Sequence, residues 1–332
     1  MPQHQIIDKE RDNSIDIARD IAILGVLYGH AMAWQDIHGT MLVHWFWSFH
    51  MALFALVSGY FYKEKSFWES FVSSVKNLLV PLFVVSFVLF FMDKIGGGIN
   101  NWKTFWEDLF SRVLATLTLQ VAPPGFWFVI ALFNCRLILT VASKLKLKYK
   151  FLILAVFSMC VFLLPKHIGL FHISHTFGLM AFVIIGIYAK KYALLERPVK
   201  KLYAVFWAIV LLSAGLFFVD MWRYYMPLYI LNFFSASIIC YALVFYCKQF
   251  DQLKTNIVVV PVKNVFAFCG RHSMMMLSFQ AILGQWFIQS TKNLLHINNA
   301  YILMVIFVLG CIVSTFILDK IRTHCSNLVL IN

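Results

Sequence analysis

Arg19 and His30 lie eleven residues apart in one apolar block, and their spacing is the clearest chemical signal in this chain. Eleven residues is close to three helical turns, so the guanidinium and the imidazole share a helix face, about 16 Å apart along the axis. Arg19 is also three residues from Asp16, the spacing of an ion pair on one helix face. A guanidinium grips phosphates and carboxylates with a planar fork of donors, and an imidazole takes and returns protons near neutral pH. A helix offering a cation at one end and an imidazole at the other, in line, borders a path between two compartments. Two plainer readings cover the same residues: an Asp16–Arg19 ion pair at the headgroup boundary, and a His30 that hydrogen-bonds to a neighbour.

The next apolar block adds His44 and His50, six residues apart. With His30 and His38 they make a histidine-rich mouth at one end of the first two blocks. His167, His172 and His175 gather in a later loop and read as solvated residues beside that mouth. No acidic or sulfur ligand accompanies the histidines at a suitable spacing, so no metal is expected. The seven cysteines are odd in number, form no CxxC and lie in or beside apolar blocks, which makes them small buried hydrophobes rather than a disulfide framework.

These residues must be positioned by membrane-spanning helices. Of 332 residues, 61% are hydrophobic and 13% charged, against about 25% charged in a typical soluble domain. The apolar residues fall in blocks of roughly 16–20, enough to cross about 30 Å of hydrocarbon. The fold class is therefore all-α, a polytopic membrane protein of about ten transmembrane helices. They are expected near Ile15–Trp34, Leu42–Tyr62, Leu78–Met92, Gly125–Val141, Phe151–Leu164, His175–Ala189, Leu202–Asp220, Pro227–Tyr246, Ser273–Ile288 and Ala300–Leu318. If Lys9 and Arg11 are cytoplasmic, alternate loops hold clusters at 63–76, 144–150, 190–201, 248–271 and 320–322. Those loops hold roughly three basic residues for each one on the other side, which places both termini in the cytoplasm. The net charge of +13 is thus a topology signal and an attraction to anionic membrane lipids, and no nucleic-acid partner is expected. Ala31-Met32-Ala33 has the look of a signal-cleavage site, but a first spanning helix targets the chain without cleavage.

Asn101–Gln120 differs from a simple span. Trp102, Trp106, Leu109, Phe110, Val113 and Leu117 recur at helical spacing, with Glu107, Asp108, Ser111 and Arg112 between them. That pattern predicts an amphipathic helix in the outer interface, either an anchor or a lid. Gly96-Gly97-Gly98 precedes it as a hinge, and Pro123-Pro124 ends it. Residues 1–332 otherwise read as a single transmembrane unit with neither repeat nor second domain.

Asp16-Ile17-Ala18-Arg19, then Ile21-Ala22-Ile23-Leu24, Gly29 and His30, resembles the first helix of acyltransferase-3 membrane proteins. His50-Met51-Ala52-Leu53-Phe54 followed by Val57-Ser58-Gly59-Tyr60 is similar to the family's second helix. Leu78-Leu79-Val80-Pro81, Phe126-Trp127-Phe128 and Gly270-Arg271-His272-Ser273 resemble its third, fourth and a late helix. The branch it looks most like is that of stand-alone enzymes related to fucose 4-O-acetylase. Three positions depart from the family pattern: Lys76 stands where paired arginines are common, Asp20 where glycine is usual, and Gln280 where histidine is frequent.

The resemblance implies transfer of an acetyl group from cytoplasmic acetyl-CoA to a hydroxyl of a cell-envelope glycan, a polysaccharide or a lipid-linked sugar, at the bacterial inner membrane. On that basis Arg19, Lys76 and Arg271 pair with the phosphates of the donor. His30, supported by Arg19 and Asp16, acts as a base or carries the acyl group briefly. His44, His50 and Trp127 bind the sugar. The rival class is a transporter or flippase, because polar residues along spanning helices also mark substrate paths. The sequence has no obvious inverted repeat or matched pair of broken helices to favour it.

Overall fold

The computed structural model describes residues 13–37, 40–97, 102–118, 123, 125–146, 148–163, 170–195, 203–216, 229–253 and 258–329. Among them there is helix and no strand. Lys9, Arg11, His38, Gly98, Pro124 and His167 lie outside the described residues.

The first helix, α1 (Ser14–Ala33), falls where the apolar block predicts it. The second block is broken in two: α2 (Met41–Trp47) and α3 (His50–Tyr60) meet at Ser48–Phe49, where Phe49 leaves the helical region at φ −140°. Thr40 starts α2 by accepting from the Val43 amide. The third element is much longer than expected. A capping box of Ser66 and Glu69 starts α4 (Phe67–Ser74), a π-turn at Val75–Leu79 follows, and α5 (Val80–Gly97) completes it. Pro81 has no amide hydrogen to give to the preceding turn, and the wider π-turn lies immediately before it.

Then come α6 (Trp102–Leu117), α7 (Trp127–Ser143), α8 (Lys150–Phe162), a 3-10 turn at Leu170–His172 and α9 (Ile173–Lys191). Further on, α10 (Ala204–Leu212) ends in a 3-10 turn at Ser213–Leu216, and α11 (Tyr229–Asp251) follows. The chain closes with α12 (Val259–Arg271), α13 (Ser273–Leu295) and α14 (Ala300–Val329).

The segment holding Lys263 and Arg271, expected as loop, is the helix α12. Its polar and apolar residues are mixed, which hides it from a search for uniformly apolar blocks. Lys263 is buried and pairs with Asp251 at 3.5 Å. Gly270 lets α12 lie against the α1 backbone, because a β-carbon there would meet Asp16. Around α1 pack α2, α3, α11, α12, α13 and α14, so the first helix of the chain is the centre of the fold. Beside this group α3 and α9 touch backbone to backbone. A β-carbon on Gly59 would land on the Val183 carbonyl, and one on Gly186 on the Leu56 carbonyl.

Outward faces are apolar. Leu152, Ile153, Val156 and Phe157 on α8, and Tyr301, Ile302, Val305, Leu309 and Val313 on α14, are exposed at helical spacing. Faces of this extent belong in lipid. Five helical stretches among the described residues are long and apolar enough to span a membrane: Met41–Tyr60, Phe67–Lys94, Leu170–Lys191, Ile230–Asp251 and Ala300–His324. The protein is a multi-pass membrane protein. The amphipathic helix α6 packs Phe105 onto Phe90 and Phe91 of α5, pairs Asp108 with Lys94, and leaves Trp106, Phe110 and Leu114 exposed in a stripe.

Candidate active site

Both ends of α1 carry polar residues, and the helices around it complete each end. At its start, Asp16 is buried and lies between two arginines. Arg19 Nη1 is 3.6 Å from Asp16 Oδ1, and Arg271 Nη1 is 3.8 Å from Asp16 Oδ2. Arg19 Nη2 reaches Ser273 Oγ at 3.4 Å, and Arg271 Nη1 reaches Asn13 Oδ1 at 3.4 Å. These separations are long beside the 2.7–2.9 Å of tight charge-assisted bonds. About a third of each guanidinium side chain remains accessible, 28% and 34%. The fold thus joins Arg19, Asp16 and Arg271, which are far apart in sequence, into one partly open cationic group.

Lys76 is exposed on the π-turn, and among the described residues it makes no hydrogen bond or ion pair. Asp20, one turn beyond Asp16, is buried with Oδ1 unpartnered.

At the other end of α1, His30 is half-buried, and its Nδ1 is buried without a partner. Trp34, one turn on, holds its ring centroid 5.8 Å from the imidazole. The Gln280 amide of α13 lies against the imidazole, close enough to act on it but short of a formed hydrogen bond. Gly125 closes this space from the chain leading into α7. Its φ is +82°, a region that disfavours side chains. A β-carbon there would sit 3.5 Å from His30 Cε1 and 3.8 Å from Gln280 Nε2. Three segments far apart in sequence therefore meet at one point around His30.

His50, at the head of α3, is buried and is an electrostatic neighbour of His30. Its Nδ1 lies 2.9 Å from the Phe46 carbonyl. A carbonyl only accepts, so Nδ1 carries the proton, and in the neutral ring Nε2 keeps its lone pair. His44 is half-buried on α2. Trp127 follows Gly125 by two residues and packs its ring 4.6 Å from that of His175. His172 and His175, expected as solvated loop residues, are instead buried at 5% and 4% exposure. Their Nδ1 atoms are 3.4 Å apart, and Phe171 and His172 hold positive φ angles that turn the chain into α9. The correction has a simple cause: α9 begins at Ile173 and draws these rings into the bundle, where they meet α7.

Two polar positions escape a reading of the sequence by blocks. Arg136 lies within α7, on the same face as the buried Val129, Leu132, Leu139 and Ser143, and makes no hydrogen bond or ion pair through its side chain among the described residues. As an arginine inside an apolar block it carries its own signal. Gln280 stands alone on a face of α13 made of Leu277, Ala281, Gly284 and Ile288, and its sequence signals are that isolation and its place where the family pattern often has histidine. Among the described residues, no three His, Cys, Asp or Glu side chains are grouped to hold a metal ion.

With this geometry in place, comparison with known families is decisive. A family model described as an acyltransferase domain matches residues 12–319, nearly the whole chain. The chain belongs to the acyltransferase-3 family. The match runs from the residue before Asn13, which meets Arg271, to Asp319, which accepts from His272 at 3.1 Å and Arg322 at 2.7 Å. Both groups around α1 thus fall inside the acyltransferase domain. Comparisons with curated proteins and with solved structures return no match.

Proposed function

We propose that this acyltransferase moves an acetyl group from cytoplasmic acetyl-CoA to a hydroxyl of a cell-envelope glycan, either a polysaccharide or a lipid-linked sugar. The observation that carries this reading is the arrangement along α1: a partly open arginine pair at one end and a half-buried imidazole facing Gln280 and Gly125 at the other. Arg19 and Arg271 suit the phosphates of the donor, since guanidinium forks match phosphate oxygens. Lys76 is a further cation for them, reaching from the π-turn. His30 takes the proton of the attacking hydroxyl, or holds the acyl group between two half-reactions. Asp16 orients the two arginines. His44, His50 and Trp127 offer the ring faces and polar atoms that bind sugars.

The same reading sets the topology: about ten spans, both termini in the cytoplasm, residues 1–332 as one unit with α6 in the outer interface, and residence in a bacterial inner membrane. The fucose 4-O-acetylase-like branch is the family neighbourhood that suits a chain of this organisation. Reporter fusions after Lys65 and Lys148 should report cytoplasm and one near Gly97 the outside; an outward signal after Lys148 refutes the span count.

The direct test incubates purified protein with acetyl-CoA labelled in the acetyl group and a set of envelope glycans. Label is expected on a glycan hydroxyl, released again by mild base. Movement of unmodified glycan across proteoliposomes, with no label transferred, overturns the transferase reading in favour of a transporter.

A further inference from the structure

Gln280 is the most completely buried polar side chain beside His30, with no measurable exposure. Neither its amide nitrogen nor its amide oxygen has a hydrogen-bond partner among the described residues. A buried amide left in this state forfeits its hydration and gains nothing in return, so native structures rarely keep one without a use. The neighbouring positions on its helix face, Leu277, Ala281 and Gly284, offer no side-chain partner, and Trp34 lies over Gly284. On the other side lies the bare backbone of Gly125: a β-carbon there would sit 3.8 Å from Gln280 Nε2, 3.5 Å from His30 Cε1 and 2.8 Å from Leu277 Cδ1, so a group entering beside it must move the flexible end of Leu277 aside. A donor, an imidazole and a backbone without a side chain of its own thus meet at one point.

We propose that Gln280 donates the hydrogen bond that takes up negative charge on the acyl carbonyl oxygen during transfer. The role rests on the transferase reading above. The acceptor hydroxyl gives its proton to His30 as its oxygen bonds to the acyl carbon of the thioester. The carbonyl electron pair moves onto oxygen, which accepts from the Gln280 Nε2–H. When the carbonyl re-forms, the carbon–sulfur bond breaks and the departing thiolate takes the proton from His30. Gln280 is neutral before and after, and the ester and free thiol are the products. A fixed, buried donor suits this task because it needs no reorganisation as charge develops. The substrate then supplies the partner that the described residues do not give this amide.

The test compares wild type with Gln280→Met, which keeps the length and removes the donor, in acetyl transfer from acetyl-CoA, with thermal unfolding measured alongside. The expected result is a kcat lower by roughly 10²–10³-fold, a KM for the donor within about twofold of wild type, and an unfolding temperature unchanged or raised, because an unmatched buried amide is gone. A kcat within threefold of an active wild type overturns the proposal, as does a loss of activity that tracks a lower unfolding temperature. If Gln280→Met does not fold, Gln280→His, which keeps an N–H donor, is read against Gln280→Glu, whose carboxylate has none when ionised. The histidine variant must then be at least about tenfold faster, and equal rates overturn the role. A wild type that transfers no acetyl group to any glycan refutes the reaction itself and takes this role with it, an outcome distinct from an active enzyme indifferent to Gln280.

Discussion

Gly125→Ala separates the needs of the fold from those of the reaction. The residue sits at φ +82°, where an L side chain costs about 1–2 kcal/mol. The new methyl would lie 2.8 Å from Leu277 Cδ1, the end of a side chain that can swing aside for about 0.5–1.5 kcal/mol of rotamer strain. The sum, about 1.5–3.5 kcal/mol, is inside the 5–15 kcal/mol typical of a folded protein. Most molecules should therefore remain folded, with unfolding several degrees lower. The methyl's other neighbours are His30 Cε1 at 3.5 Å and Gln280 Nε2 at 3.8 Å, so it fills the space where a reacting carbonyl would stand. Displacing reactants by about 1 Å can cost 10²-fold in rate, and acetyl transfer per folded molecule should fall by at least that much. The assay is initial-rate transfer from labelled acetyl-CoA, normalised to monodisperse protein, with thermal unfolding in the same detergent. Gly310→Ala on α14 is the control: the nearest neighbour of its methyl would be the Phe287 ring, at 3.0 Å, and activity should stay near normal. Wild-type kcat and KM in Gly125→Ala, with only the unfolding temperature shifted, would refute the placement of the reaction between His30 and Gln280.

Three further outcomes are expected. His30→Gln should lose roughly 10²–10⁴-fold in kcat while still binding donor, and near-normal turnover would move suspicion to His50. Arg19→Ala should raise the KM for acetyl-CoA, with Arg19→Lys recovering only part because a point charge lacks the planar fork; unchanged donor affinity would leave Arg19 as a structural partner of Asp16 and Ser273. Gly186→Ala sets a methyl against the Leu56 carbonyl, a backbone atom that cannot swing away. It should cost about 3 kcal/mol or more, the upper end for overpacking, and a thermal scan matching wild type would contradict the backbone contact of α3 with α9.

The first helix was legible because its apolar run, its Asp16–Arg19 spacing and its His30 are all local features, and α1 begins and ends within a residue of the expectation. Other elements were hidden for identifiable reasons. α12 mixes Lys263, Asn264 and Arg271 with apolar residues, so it reads as loop until α1 is there to cover one face. The break at Phe49 has no glycine or proline to announce it. His172 and His175 look like loop residues because nothing local says that α9 starts at Ile173 and buries them. At the site, Arg19 with Asp16 could be read along one helix, but Arg271 joins them only through tertiary packing. Gln280 matters by virtue of Gly125 and His30, which are 155 and 250 residues away in the chain, a relation no pattern of spacing contains.

Because α1 is the centre of the bundle, the order of synthesis opposes the order of assembly. The first helix to leave the ribosome carries Asp16, Arg19 and Asp20 into the bilayer, yet Arg271 lies 258 residues beyond Asn13, which it contacts. At roughly 5–20 residues per second, the nascent chain holds those charges for tens of seconds before α12, α13 and α14 exist to enclose them. Early in biogenesis α1 must shelter in the insertion machinery or at the headgroup boundary. Any chain truncated before Val259 leaves its opening helix with α2, α3 and α11 but without α12, α13 and α14, half of the helices that enclose it.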